Sequence, residues 1–221
     1  LKTPKAVLFD MDGVLVQTEP LKAQAHASTV AHFGGKVEPA FYATVMGQSM
    51  EAAEWAFCQT GQVEEAFSRY RPRYETIYHT LLQTQLAVTP GVIPLLQQLQ
   101  GRGYRLAVVT SDHAATMQDV LARTSLIHFF EVRVARDDVT RTKPAPDGYL
   151  LALERLALPT SAALVIEDSE AGVQAATSAG LPTIALRHSF NAQHDFGRAF
   201  KVIDSFGDPD LLIKTIEQAL I

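Results

Sequence analysis

The stretch Val7-Leu8-Phe9-Asp10-Met11-Asp12-Gly13-Val14-Leu15-Val16-Gln17-Thr18 decides how the rest of the chain is read. With Ala6 in front, its first three residues make an unbroken apolar run of the kind a strand covered on both faces requires. That run ends abruptly in two carboxylates, Asp10 and Asp12, before Gly13. Two carboxylates about 4 Å apart repel by about 4 kcal/mol at an effective dielectric near ~20, so the pair asks for a bound cation or a retained proton. Alone, Asp-x-Asp-Gly also reads as a strand followed by an ordinary Asp-Gly turn. The remainder of the chain has to decide.

The 221 residues suit one domain of ordinary size with a smaller unit attached, and leave room for a sizeable core. A hydrophobic share of 47% with a net charge of −5 describes a globular chain without the basic surplus of a nucleic-acid binder, so the expected partner is a small molecule. Cys58 is the only cysteine, which excludes an intrachain disulfide and the cysteine-ligated zinc motifs and suits a reducing, cytoplasmic setting. No apolar run approaches the roughly 18 residues that span a bilayer, and no signal-peptide pattern precedes the first strand. No membrane attachment is therefore expected, and the chain reads as a monomer. Because it starts at Leu1 rather than Met, a removed targeting segment stays an open alternative.

After the first strand, Thr18 can cap a helix opening with Glu19-Pro20 and running to about Phe33, where Gly34-Gly35 stops it. From Glu38 to Leu86 the pattern stays helical, with breaks at Met46-Gly47-Gln48-Ser49 and Thr60-Gly61 and no strand alternation. This predicts an all-helical insert over 17–86, between the halves of a core formed by 1–16 and 87–221. Thr89-Pro90-Gly91 leads back into a helix with Val92, Leu95, Leu96 and Leu99 on one face. Strands are predicted at 104–109, 132–134, 162–166, 183–186 and 201–203, with helices between them and a closing helix from Pro209 to Leu220. Such alternation implies a parallel sheet with right-handed crossovers, whose ligands sit at the carboxyl ends of the strands. Asp10, Asp12, Thr110, Lys143, Glu167 and Asp168 all fall at or near those ends.

A carboxylate pair, a hydroxyl, a lysine and a second acidic pair suit phosphoryl transfer, where catalysis is mainly positioning and charge neutralisation. A carboxylate nucleophile needs a hard cation between itself and a phosphate dianion, and magnesium is the expected ion, with Asp10 and Asp168 as its expected carboxylate ligands. Asp12 can then keep a proton for the leaving oxygen. Singly, each residue has a bland reading: a loop lysine before a Pro-rich turn, a strand-ending threonine, an acidic helix start at Glu167-Asp168-Ser169. Their joint occurrence does not.

Asp10-Met11-Asp12-Gly13-Val14, Thr110, Lys143-Pro144 and Glu167-Asp168 resemble the four ordered motifs of the haloacid dehalogenase superfamily, over nearly the whole chain. The helical insert, the Lys-Pro-Ala-Pro-Asp run and the Glu-Asp-Ser-x-x-Gly run are similar to its β-phosphoglucomutase-like phosphatase group. The resemblance implies a Rossmann-like α/β core with a mobile helical cap. It also implies an Asp10 nucleophile forming an aspartyl-phosphate, Asp12 as acid/base with its carbonyl on the metal, and Asp168 completing the Mg2+ site with Glu167 in support. Thr110, Ser111 and Lys143 would hold the phosphoryl group. Gly47, Gln48, Ser49, Met50 and His113 fall where substrate selection is expected, although an exposed helix-start histidine explains His113 equally well.

The chain departs from named members at informative places. Asp12 sets it apart from the dehalogenases. Met50 can form neither a Schiff base nor a phosphate grip, Thr110-Ser111-Asp112-His113-Ala114 replaces the mutases' sugar-contacting Ser-x-Ser-Lys-Asn, and Lys22 replaces a histidine early in the first cap helix. The expected activity is a Mg2+-dependent phosphatase of a small phosphorylated metabolite, plausibly a sugar phosphate. A phosphohexomutase and a catalytically silent phosphate-sensing module are the alternatives. Arg69 and Arg73, at helical spacing, read as a solvated face, and Trp55 and Cys58 as packing.

Overall fold

The computed structural model describes residues 5–220. In chain order these form β1 (Ala6–Phe9), α1 (Glu19–His32), α2 (Met50–Gly61), α3 (Phe67–Gln85), α4 (Val92–Gly101), β2 (Arg105–Val109), α5 (Ala114–Arg123), β3 (Val132–Val134), α6 (Asp147–Leu156), β4 (Ala163–Glu167), α7 (Glu170–Ser178), β5 (Thr183–Leu186), β6 (Lys201–Ile203) and α8 (Pro209–Ala219). Among the described residues, six strands make one sheet in the order β3-β2-β1-β4-β5-β6, and every pairing is parallel. This is a Rossmann-like α/β sheet with flanking helices, and a run of helices follows its first strand. No helix among the described residues is long and apolar enough to cross a membrane.

Ala6, Val7, Leu8 and Phe9 of β1 are fully buried, as a central strand with apolar residues on both faces must be. Its register sets Phe9 opposite Val108 on one side and Ile166 on the other. The next residue of each strand therefore lies at the same edge, which brings Asp10, Val109 and Glu167 level. Val92, Leu95, Leu96 and Leu99 of α4 are fully buried, each such side chain contributing about 1.5–3 kcal/mol, while Ile93 on the opposite face is partly exposed.

The chain divides into two compact units. One comprises Leu1–Val16, Val88–His188 and His194–Ile221; it contains the whole sheet. The other comprises Gln17–Ala87 with Ser189–Gln193. Within the helical unit α1 packs on α3 and α2, and its interior is aromatic: His26 lies against Phe57, Tyr42, Tyr70 and Tyr74, with ring centroids 4.3–6.0 Å away. The Tyr70 hydroxyl donates to the His26 carbonyl (3.2 Å), so it accepts from Nδ1–H at 3.1 Å and sets the tautomer. Arg71 reaches the otherwise buried Glu54 at 2.9 Å, and Arg69 sits over the Phe33 ring.

One expectation about the helix start fails. Thr18 occupies the N-cap position of α1, but its backbone is already helical (φ −87°, ψ −25°) and its carbonyl accepts from the Lys22 amide. Its side chain makes no capping bond, because a cap needs an extended backbone to aim its oxygen at the free amides. Ser49 of α2 and Ser169 of α7 are extended, and both do cap.

Candidate active site

Three strands deliver the site. The Asp10 amide bonds to the Ile166 carbonyl (3.0 Å) and the Thr110 amide to that of Val134 (3.0 Å), so both residues take the last rungs of their ladders and their side chains stand at the carboxyl edge. Residues 11–16 then turn tightly, with the Gly13 amide on the Val16 carbonyl (2.8 Å) and φ +72° at Gly13, a conformation glycine adopts without strain. A side chain at Gly13 would collide with the Asp168 carboxylate, so the glycine of Asp-x-Asp-Gly also makes room for an acid over 150 residues away.

Lys143, from the loop before α6, spends its three donors on Asp10 Oδ1, Glu167 Oε1 (2.6 Å) and the Val109 carbonyl (2.9 Å). It also lies over the Tyr149 ring, 5.1 Å from the centroid. Glu167 is wholly buried and saturated. Oε1 accepts from Lys143 and the Tyr149 hydroxyl (3.0 Å), and Oε2 from the amides of Asp168 (2.8 Å) and Ser169 (2.9 Å) and the Ser169 hydroxyl (3.0 Å). The same hydroxyl accepts from the Gly172 amide (3.0 Å), and a side chain at Gly172 would run into the Glu167 carboxylate. The Glu-Asp-Ser-x-x-Gly run thus folds around its own first carboxylate.

Asp10, Glu167 and Asp168 each present an oxygen within 4.8 Å of the other two. Burial and the neighbouring Glu167, Asp168 and Asp12 push the Asp10 carboxyl well above its ordinary range, against the pull of Lys143. Burial also raises Glu167, but Lys143 and the Ser169 bonds outweigh it and hold that group low. Burial works against charge on Lys143, yet Asp10 and Glu167 raise it well above the usual lysine value. Three buried carboxyl groups thus share one ammonium. Their all-carboxylate donor set is the kind a hard divalent cation takes.

The remaining candidates divide. Thr110 is buried, and its hydroxyl accepts from the Asp112 amide (3.1 Å), which directs its own proton elsewhere. Asp12 is half-buried in the turn beside the cluster, and Ser111 is exposed at the end of β2. His113 stands clear of the cluster, with its exposed Nδ1 2.9 Å from Asp137; it is Asp137 that accepts from the Ala114 amide and starts α5. Gly47, Gln48, Ser49 and Met50 are exposed on the helical unit, where Ser49 accepts from the Ala52 amide (3.2 Å) and Gln48 donates to the Thr44 carbonyl (3.2 Å). Tyr149 and His188 escaped the sequence reading. A tyrosine in an apolar helix face and a histidine after a short strand carry no signal until their partners are seen.

A parallel α/β sheet, a helical insert after its first strand and an acid–lysine cluster at the strand ends define a hydrolase of the Rossmann-like class. Residues 7–186 match the family described as haloacid dehalogenase-like hydrolase, and the chain belongs to that family. It is 32% identical to the "Phosphorylated carbohydrates phosphatase" of Thermotoga maritima, over 85% of this chain and 87% of that protein. It is 30% identical to "Fructose-1-phosphate phosphatase YqaB" of Escherichia coli, over 82% and 95%. Among solved structures, a variant of CbbY from Rhodobacter sphaeroides in complex with xylulose-1,5-bisphosphate is 26% identical, with a TM-score of 0.75 and coverage of 93% of this chain and 96% of the other.

Proposed function

We propose that the protein is a Mg2+-dependent phosphatase acting on a small phosphorylated carbohydrate through an aspartyl-phosphate on Asp10. The observation that carries this reading is the enclosure of Asp10 at the end of β1, paired with Lys143 and within reach of Asp168. The names of the relatives, phosphatases of phosphorylated carbohydrates and of fructose 1-phosphate, supply the substrate class.

In this reading Asp10 and Asp168 would hold the ion with their carboxylates and Asp12 with its carbonyl, and Glu167, whose lone pairs are already engaged, supports the site by holding Lys143. When bound, the ion would supply positive charge toward the phosphoryl group. An Asp10 oxygen attacks phosphorus as the bond to the sugar oxygen breaks, and Asp12 gives that oxygen its proton. The Lys143 ammonium, its bonds kept on Asp10 and Glu167, offsets the developing charge through space, and the Thr110 hydroxyl can donate to a phosphoryl oxygen, with Ser111 at the same rim. Water then attacks the phosphorus of the aspartyl-phosphate, Asp12 takes the water's proton, and inorganic phosphate leaves. The helical unit serves as the cap that selects the sugar, with residues 47–50 as candidate contacts. Met50 offers neither charge nor hydrogen bond, which favours transfer to water over return to a sugar.

Release of inorganic phosphate from a panel of sugar phosphates, nucleotides and phosphoglycolate, with Mg2+ and with EDTA, tests the reading. Metal-dependent turnover of at least one sugar phosphate is expected, and no turnover of any panel member would overturn it. With a hexose bisphosphate, phosphate release supports the phosphatase, whereas an isomerised sugar monophosphate would mark a mutase.

A further inference from the structure

We infer that His188 is a positioning residue of the cation site, holding the Asp168 carboxylate through its Oδ2 in the orientation in which it ligates the ion. The inference rests on the reading of Asp168 as a ligand given above. His188 follows β5, the strand beside β4, and the Arg187 amide before it is fixed to the Ile203 carbonyl at 2.7 Å. Its Nε2 lies 2.8 Å from Asp168 Oδ2. An ionised carboxylate has no proton to give, so the imidazole donates from Nε2, and that bond occupies Oδ2.

The Gly13 backbone closes on the same Oδ2. A Cβ there would overlap Asp168 and come within 3.2 Å of His188 Nε2, so backbone, carboxylate and imidazole are in packing contact and leave Asp168 little freedom to turn. The carboxylate is 4% exposed and the imidazole 24%. The group whose ligand atoms lie within 4.8 Å of one another is Asp10, Glu167 and Asp168, without His188. Its place is therefore behind a ligand. Hydrogen bonds of this kind fix the angle of a ligating carboxylate and typically carry about 10–100-fold in metal affinity.

The test is calorimetric titration of MgCl2 into the full, substrate-free chain: wild type, H188A, H188F, H188Q and D168N. Wild type is expected to bind and D168N to lose binding. H188F keeps the volume but has no donor, and H188A has neither; both are expected to weaken Mg2+ about 10–100-fold. H188Q, whose amide can donate to Oδ2, is expected to recover most of the loss. Melting in EDTA identifies any variant that fails to fold, and H188F against H188Q then carries the comparison. Mg2+ affinity of H188F within twofold of wild type would overturn the inference while leaving the cation site standing. A loss confined to Co2+, with Mg2+ unchanged, would overturn it in favour of direct ligation by the imidazole. Failure of wild type itself to bind Mg2+ would overturn the site together with the inference.

Discussion

At the end of β1, Asp10 is enclosed beside Lys143, Glu167 and Asp168; in the helical unit, His26 is enclosed among Phe57, Tyr42, Tyr70 and Tyr74. Burial favours the neutral form of both groups, raising Asp10 well above its ordinary range and, with the Lys22 charge as a smaller cause, lowering His26 to about 3. The surroundings then part company. Around His26 the partners are aromatic rings and a tyrosine hydroxyl, and a neutral imidazole leaves nothing wanting. Around Asp10 the partners are charged, and the carboxyl groups of Asp10, Glu167 and Asp168 outnumber the single Lys143 ammonium. A buried titratable group with neutral, complementary partners is packing, and one among charged partners marks a place for chemistry.

The comparison breaks most visibly at Asp10. Asp10→Asn is expected to abolish phosphate release, because an amide cannot replace the attacking carboxylate, while the melting temperature of the metal-free protein is not lowered. Retained turnover would remove the nucleophile. Next comes Asp12→Ala, for which a rate loss of about 10²–10⁴ is expected on an alkyl phosphate and a clearly smaller one on p-nitrophenyl phosphate, whose leaving group needs no proton. Equal losses on the two substrates would deny Asp12 the acid role.

Tyr149→Phe sharpens the charged side of the comparison. It removes one of five hydrogen bonds to the buried Glu167, and a destabilisation of about 1.5–3 kcal/mol is expected in urea titration. The neutral side is tested by pH. The folded pKa of His26 is about 3 against 6.5 for the free side chain, so on acidification the unfolded chain takes the proton first. Its contribution is complete above pH 6.5 and is lost as the pH falls toward 3, at about 1.4 kcal/mol per pH unit. Stability curves of wild type and His26→Phe should diverge over that window by this slope. Parallel curves would mean that His26 titrates in the folded protein much as it does in water.

Much of this was legible in the residues. The apolar run at 6–9 became a fully buried strand, and the spacing of acids and lysine placed them near strand ends because strand and helix periods are local properties. The Thr18 cap was misread because capping depends on a backbone angle that residue type does not report. Glu167 was read as an acid beside a metal; its five hydrogen bonds, to residues both adjacent and more than twenty positions away, were not visible. His26 gave no sign at all, since one histidine among apolar helix positions looks the same whether it is packed or exposed.

By itself, then, the order of residues determined the alternating α/β architecture, the helical insert after the first strand and the acids at the ends of β1 and β4. Only the tertiary structure decided the strand order that sets β1 between β2 and β4, the pairing of Lys143 with Asp10 and Glu167, the imidazole behind Asp168, and the grouping of residues 189–193 with the helical unit. The reason is one of range. Periodicity and turn chemistry act over a few residues, whereas a hydrogen bond between β1 and a loop 133 residues later exists only once the sheet has fixed where both ends lie.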